Sequence, residues 1–408
     1  MEFPPQQDAA LRDVDRWFKL PVEEDQVYYL AGYAGSGKTT LARYLAEQVD
    51  GRVVFAAYTG KAAAVLRAKG CAGAQTIHSL IYHPKEKSRQ GLLAVEQKMA
   101  EVEAALLVDP TPALRAQMEQ LKRQRVSERR ALRQLSFELS GESELAGADL
   151  VVIDECSMVD ERIGRDLESF RKKILVLGDP AQLPPVMGGG YFTSRQPNTM
   201  LTEIHRQAAE SPIIRMATDV REGRAVAMGD HGSGCHVIPK SQTHQNDYMS
   251  ADQILCGRNA TRHAVNKRYR QLVGNVDWKP REGDRLVCLR NDHKVGLLNG
   301  TLWRAVEDAT QPIEDRLCLT VEPEEGGPQL EVTAHACHLR GDREELPWYE
   351  RKEAQEFDYG YALTVHKAQG SQWNDVLVID ESGVFRENAR RWLYTALTRA
   401  AVRVTVVR

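Results

Sequence analysis

The chain has 408 residues, 42% hydrophobic and 27% charged, with a formal net charge of −3, the make-up of a globular protein of two or more domains. No apolar run approaches the ~20 residues that a helix needs to span a bilayer. Seven scattered cysteines with no C-x-x-C pair argue for a reducing compartment and against a disulfide framework or zinc ribbon.

The first 26 residues hold an amphipathic stretch through Leu11, Val14, Trp17 and Phe18. Gln6 and Gln7 stand before it; an amide both donates and accepts, so either fits an adenine edge as well as a solvated helix start. Val27–Ala31 reads as a buried strand and Leu41–Val49 as a helix. Between them, Gly32-Tyr33-Ala34-Gly35-Ser36-Gly37-Lys38-Thr39-Thr40 fits the phosphate-binding pattern G-x-x-x-x-G-K-[ST] in full. Its glycines let backbone N–H groups converge on an anion, and the helix N-terminus adds partial positive charge. Lys38 is placed to reach β- and γ-phosphates, and the Thr39 hydroxyl to ligate Mg²⁺.

Val53–Ala57 is a second strand, leading through Thr59, Gly60 and Lys61 into a helix. Thr76-Ile77-His78 heads another. Helix capping explains either cluster alone. Together they place polar groups on the sheet edge where open α/β folds bind ligands. From 83 to 146 the rhythm breaks. Leu92, Val95, Met99, Val102 and Leu106, then Leu114, Met118 and Leu121, recur three and four apart, and the row resumes at Leu132, Leu135 and Leu139. Asp109-Pro110-Thr111-Pro112 is the breaker. This predicts an inserted antiparallel helical hairpin whose basic second arm is either a solvated face or a nucleic-acid or partner contact.

Leu150–Ile153 then delivers Asp154 and Glu155, the first to hold Mg²⁺ and the second to orient and deprotonate an attacking water. Ile174–Leu177 ends in Gly178-Asp179-Pro180-Ala181-Gln182, where Gln182 is placed to sense a γ-phosphate. Gly188-Gly189-Gly190 marks a hinge. Ile254–Cys256 and a basic helix from Thr261 to Leu272 open a second α/β domain. Short strands at Arg285–Leu289, Thr301–Val306, Leu317–Val321 and Leu330–Ala334, with Asn299-Gly300 as a tight hairpin turn, predict a small inserted β-barrel. His335, Cys337 and His338 fall in that alternating β pattern, without a second ligand pair for zinc. The α/β pattern resumes at Asp358. Arg399, near the end, reads equally as a surface residue or as a guanidinium for a developing γ-phosphate charge.

From about Pro5 to Arg408 this array resembles superfamily 1 helicases of the 5′-to-3′ branch (superfamily 1B), RecD-like and phage Dda-like. The resemblance makes Gly32–Thr40 motif I, Thr59–Ala63 motif Ia and Thr76–His78 motif Ib. Asp154-Glu155 becomes motif II and Gly178–Gln182 motif III. Arg206 becomes the motif IV arginine, Thr364–Ser371 motif V and Arg399 the motif VI finger. It implies an α/β fold with two RecA-like parallel-sheet domains and ATP with Mg²⁺ between them. Domain 1A would be 1–82 and 147–190, with a helical-hairpin insertion, 1B, at 83–146. Domain 2A would be 191–280 and 341–408, with an SH3-like barrel, 2B, at 281–340. Gln7 is implied as the adenine reader, Gln369 and Gly370 as nucleotide contacts, and Arg206 and Arg399 as fingers reaching across the cleft. Implied DNA contacts are Thr59, Lys61, Thr76, His78, Thr364 and His366.

The implied activity is ATP-driven 5′-to-3′ movement on single-stranded DNA with unwinding at single-strand/duplex junctions, in replication, recombination or repair. The alternative is a protein-displacing translocase subunit of a larger nuclease or recombination complex, with partners on 83–146. The first residues show neither a basic nor an apolar signal-peptide region, so the cytoplasm of a bacterium or of a phage-infected host is the expected location. Two departures stand out: Tyr58 occupies a position where proline is expected, and the first insertion reads as helical where relatives often carry a β-hairpin pin.

Overall fold

A computed structural model of the chain describes residues 3–84, 90–133, 137–141, 143–185, 190–203, 210–292, 295–341, 351 and 353–408. The first unit runs through helix α1 (Pro5–Phe18), strand β1 (Val27–Gly32), α2 (Lys38–Gln48), β2 (Val53–Ala57), α3 (Gly60–Ala68), β3 (Gln75–Thr76) and α4 (Ile77–Ile81). An excursion follows through β4 (Tyr82–Pro84), α5 (Gln90–Val108), α6 (Pro112–Arg133) and β5 (Phe137–Leu139). The chain returns with β6 (Leu150–Asp154), α7 (Glu161–Ser169), β7 (Lys173–Gly178) and β8 (Thr199–Leu201).

These strands form a parallel sheet in the order β3-β2-β6-β7-β1-β8. Tyr28 and Leu30 of β1 join one core with Ala10, Val14 and Trp17 of α1 and Leu41 of α2. Tyr29 and Ala31 join the opposite core with Ile77, Ile163 and Leu167. A parallel sheet covered on both faces needs apolar residues at every strand position, so β1, β6 and β7 read as continuous apolar runs. Emptying one such position, as in Leu30→Ala, costs about 2–5 kcal/mol.

In the excursion, α5 and α6 pack through Val95, Val102 and Leu121, flanked by Met99, Leu106, Leu114 and Met118. The helical row stops earlier than its sequence period suggests. Leu139 lies in β5, paired with Tyr82, because the chain must turn back into a β-ribbon to rejoin the sheet. Leu135, in the same row, and Gly188-Gly189 of the expected hinge lie outside the described residues.

The second unit comprises α8 (Pro212–Arg221), β9 (Gly229–Gly232), β10 (Cys235–Ile238), α9 (Gln245–Ser250), β11 (Gln253–Cys256) and α10 (Asn259–Leu272). Next come β12 (Arg285–Cys288), β13 (Leu302–Ala305), β14 (Arg316–Pro323), β15 (Leu330–His335), α11 (Ala336–Arg340) and β16 (Phe357–Tyr359). The chain closes with β17 (Ala362–Thr364), β18 (Trp373–Ile379), α12 (Ala389–Leu397) and β19 (Ala400–Val407). One sheet has the order β17-β11-β18-β19-β10-β9, parallel except for the edge strand β9. The other is antiparallel, β15-β14-β13-β12-β16.

Three expectations are corrected here. Phe357–Tyr359 pairs with β12 and so belongs to the antiparallel sheet, whereas the sequence pattern gave it to the second α/β unit. A three-residue strand just before β17 carries no period of its own; a distant partner decides it. Cys337 and His338 sit on α11 and not on a strand. Asn299-Gly300 is no two-residue hairpin: β12 ends at Cys288 and β13 starts at Leu302, with Asp292 bridging to Leu297 between them.

The basic helix α10 turns its arginines inward. Arg262 donates to Asp358 Oδ2 at 2.7 Å, and Arg270 donates to Asp284 Oδ2 through Nη2 at 2.9 Å. These buried pairs tie the second parallel sheet to the antiparallel one. Removing one partner of such a pair strands a buried charge and costs about 3–5 kcal/mol. Among the described residues, no helix is long and apolar enough to cross a membrane.

Candidate active site

The loop after β1 turns at Gly35 and Gly37, with φ of 80° and 78°. A Cβ would strain both, and the turn aims N–H groups into the loop mouth. No side chain caps α2 at Gly37, so its first-turn donors are available to an anion. The Lys38 ammonium lies across the mouth, donating to the carbonyls of Gly32 at 2.6 Å and Tyr33 at 3.1 Å. Ser36 is buried and donates to the Tyr33 carbonyl at 2.8 Å, holding the loop's shape. Thr40 is exposed. Gln7 is buried and donates to the Ser36 carbonyl at 2.9 Å. Gln6 is committed elsewhere: its carbonyl accepts from the N–H groups of Thr202 and Glu203, each at 2.9 Å.

At the end of β6, Asp154 Oδ2 accepts from Thr39 Oγ1 at 3.0 Å. A hydroxyl and a carboxylate side by side, beside a phosphate-shaped loop, form a donor set suited to a hard divalent cation. Asp154 Oδ1 accepts from the Glu155 N–H at 2.8 Å. Glu155 takes φ 54°, a left-handed conformation that costs a non-glycine residue about 1–3 kcal/mol. Desolvation pushes its carboxyl above the usual carboxylate range. The Arg399 guanidinium and Lys38 pull it back down, while Asp154 and Asp179 push it further up. A carboxylate raised in this way is a stronger base than an ordinary glutamate.

Arg399 is held on the second unit, almost fully buried. Its Nε donates to the Thr395 carbonyl at 3.1 Å, Nη1 to the Ser371 carbonyl at 3.2 Å and Nη2 to Thr398 Oγ1 at 3.1 Å. Of the two readings its position allowed, the surface residue is excluded. Arg206, the other expected finger, lies outside the described residues.

The two units are stitched together largely through residues that the motifs did not single out, Tyr394, Thr395 and Leu183. Tyr394 of α12 donates to Asp179 Oδ2 at 2.6 Å and accepts from the Ala34 N–H at 3.2 Å. The Leu183 N–H donates to Thr395 Oγ1 at 2.9 Å, and Gln369 donates to the Leu183 carbonyl at 3.0 Å. One helix thus touches both the phosphate loop and the loop after β7. Asp179 is buried, and desolvation raises its carboxyl against the pull of Lys38. Its signal was present: like Asp154, it directly follows a buried strand. Tyr394 showed only as a hydroxyl within an apolar helical run. Gln182 and Gln369 are both buried, each with a side-chain carbonyl lacking a hydrogen-bond partner. Gln369 reaches the loop after β7 through its bond to Leu183.

The expected DNA-contacting residues divide by environment. Thr59 caps α3, accepting from the Ala62 N–H at 3.1 Å, and Thr76 caps α4, accepting from the Ser79 N–H at 3.1 Å. Thr364 is buried and accepts from the Lys367 N–H at 3.4 Å. Gly370, at φ 76°, packs on Thr59: a Cβ there would lie 3.2 Å from Thr59 Oγ1 and 2.7 Å from Ala62 Cβ. His78 is wedged between Tyr58 and Tyr82, with ring centres 5.8 and 5.7 Å away. Tyr58, the departure from proline, is therefore part of an aromatic row. His366 lies 5.5 Å from the ring of Phe385. Burial lowers the pKa of both histidines, favouring neutral rings. Lys61 is buried, its Nζ 3.5 Å from Glu325 Oε1 and 4.9 Å from the centre of the Trp373 ring.

A family model described as the AAA domain matches residues 5–233, more than half of the chain. The chain belongs to the AAA domain family. In this AAA-domain protein, residues 359–407 also match the UvrD-like helicase C-terminal domain. The ATP-dependent RecD2 DNA helicase of Deinococcus radiodurans is 29% identical over 281 residues, 63% of this chain and 36% of the relative. The RecBCD enzyme subunit RecD of Mycolicibacterium smegmatis is 24% identical over 98% of this chain and 73% of its own length. The chain thus spans little more than a third of the first relative and about three quarters of the second. Among solved structures, Bacteroides Pif1 helicase in complex with ADP-AlF3 and ssDNA superposes with a TM-score of 0.54 at 19% identity, covering 99% of this chain and 92% of that one. Candida albicans Pif1 helicase gives 0.53 at 16%, covering 100% and 94%. These likenesses uphold the RecD-like resemblance drawn from the motifs and place the α/β fold among helicase structures.

Proposed function

We propose that this chain is an ATP-dependent DNA helicase that moves 5′-to-3′ on single-stranded DNA and acts at single-strand/duplex junctions. The observation that carries this reading is a single cleft in which Lys38, Thr39, Asp154, Glu155 and Asp179 of one unit face Arg399 of the other, with Tyr394 of the second unit bonded across it to Ala34 and Asp179 of the first. In that cleft the loop N–H groups and Lys38 cradle the phosphates, and Gln7 orients the base end. Thr39 and Asp154 hold Mg²⁺, which supplies charge neutralisation to the β- and γ-phosphates when bound. Glu155 orients water and accepts its proton. Arg399, with Arg206 as a second finger, meets the charge that develops on the γ-phosphate.

Chemistry becomes motion through Tyr394. Its hydroxyl bonds to Asp179, beside the γ-phosphate position, and to the phosphate loop itself. A change in phosphate charge shifts those bonds and thereby α12, which carries the second sheet with it. DNA lies along the edge where motifs Ia and V meet, at Thr59 and Gly370, with Thr76, His78, Thr364 and His366 beside it. The α5–α6 pair serves as domain 1B and the five-stranded sheet as an SH3-like domain 2B. The cytoplasm and a role in replication, recombination or repair complete the reading. Replacing Lys38 with alanine tests it: ATP hydrolysis should vanish while single-strand binding persists, and full hydrolysis would refute the assignment.

A second reading, a translocase subunit of a larger complex, is favoured by the hairpin tip. Leu107 and Val108 are 85% and 88% exposed there, and exposed apolar residues grouped at one tip suit a partner. Unwinding of a bare fork by the isolated chain decides between the two.

A further inference from the structure

Three parts of the chain meet at Lys61. The residue is the second of α3, its side chain is 10% exposed, and its ammonium faces Glu325 Oε1 at 3.5 Å and the Trp373 ring centre at 4.9 Å. Trp373 opens β18 in the second parallel sheet, and Glu325 lies in the turn between β14 and β15 of the antiparallel sheet. The preceding residue, Glu324, accepts two bonds from Arg285, from Nε at 2.6 Å and Nη2 at 2.7 Å, and lies 4.0 Å from Arg304.

These residues line a cavity of about 860 Å³ together with Trp303. A neighbouring cavity of about 510 Å³, lined by Arg67, Thr76 and Ser79, shares Gly296 with it. The pair forms a track from the head of α4 to the residues just past motif V. It passes cations and indole rings, the two surfaces a single strand requires. Two carboxylates of one turn sit on three of those cations.

We propose that this junction takes a single-stranded nucleic-acid segment, with a phosphate on Lys61 and a base against Trp373, and that Glu325 holds the phosphate's place until the strand displaces it. A carboxylate offers an ammonium the same anionic oxygens as a phosphodiester. The Glu325 side chain is 69% exposed, so its ion pair is screened and weak; a phosphate that also brings a stacked base outcompetes it. In the same turn Gly326 and Gly327 take φ of 85° and 150°, conformations open to glycine. Burial pushes the Lys61 ammonium down and Glu325 pulls it back up, so an anion facing Lys61 favours its charged form. The same service is open to a carboxylate or to a phosphate.

This inference rests on the helicase reading, and the test separates the two. Equilibrium binding and association rates of a fluorescent oligothymidylate are measured against salt for the full chain and for Glu325→Gln, Lys61→Met, the double variant, and Glu331→Gln, an exposed carboxylate on β15. Glu325→Gln should tighten binding about two- to fivefold, chiefly by faster association. Lys61→Met should weaken binding and reduce the salt slope by about 1. The gain from Glu325→Gln should disappear in the double variant, and Glu331→Gln should match the wild-type chain. Wild-type affinity in Glu325→Gln, or a gain undiminished by Lys61→Met, would overturn the proposal while leaving the helicase reading intact. Failure of the wild-type chain to bind oligothymidylate at all would overturn both.

Discussion

Both parallel sheets end a buried strand in a loop that opens a helix, yet only one of these loops is free to hold a phosphate. After β1, glycines and the uncapped start of α2 gather N–H groups beside Lys38. After β11, the N–H groups of Gly257 and Arg258 also converge, but Glu381 already occupies them. Its Oε2 accepts from Gly257 at 2.8 Å and Arg258 at 2.9 Å, and its Oε1 accepts from Arg258 Nε and Thr261 Oγ1, each at 2.7 Å. Burial pushes the Glu381 carboxyl up, but these hydrogen bonds outweigh it and hold the group below the usual range. Converging N–H groups at a helix start are therefore not enough for a nucleotide site. What counts is whether the chain brings a lysine to the mouth or fills it with its own carboxylate. The second unit, its loop filled, contributes to the cleft from its other end, through Arg399 and Tyr394.

This asymmetry breaks at specific points. Replacing Lys38 should cost the most: ATP turnover by the alanine variant should fall to background in a phosphate-release assay. Arg399→Ala should lower kcat by about 10³–10⁵-fold with little change in nucleotide affinity, the mark of a group that acts on the transition state. Glu155→Gln should lower kcat by about 10²–10⁴-fold. Because the Glu155 carboxyl is raised and works deprotonated, turnover in the wild-type chain should decline as pH falls toward it. That acid limb should lie above 4.5, the ordinary glutamate value, and a limb at or below that value would contradict the base assignment. Glu381→Gln should be the mildest, destabilising the fold by about 1.5–3 kcal/mol in denaturant titration while leaving the KM for ATP unchanged. The sign follows from its lowered pKa: the Glu381 contribution is present above the unfolded value and lost as pH falls through the folded one, so the variant should lose that acid dependence.

The sequence disclosed what is local. Gly32–Thr40 carries its own geometry, and Asp154-Glu155 needs only the apolar strand before it. Continuous apolar runs announced parallel strands covered on both faces. What it concealed depends on partners far along the chain. Tyr394 acquires meaning only from Asp179 and Ala34, 215 and 360 residues away. Phe357–Tyr359 became a strand of the antiparallel sheet because β12 was there to pair with it. The basic helix α10 showed only its charge, and the partners that draw its arginines inward, Asp284 and Asp358, lie further along the chain. Lys61 read as an open anion contact, and its occupant, Glu325, comes from another sheet.

The most direct test offers the isolated chain a short duplex carrying only a 5′ or only a 3′ single-stranded tail, with ATP and Mg²⁺, and follows strand separation by fluorescence. ATP-dependent separation that requires the 5′ tail and is lost in Lys38→Ala is the predicted result. Absence of separation on both substrates, or separation that survives in Lys38→Ala, would contradict it.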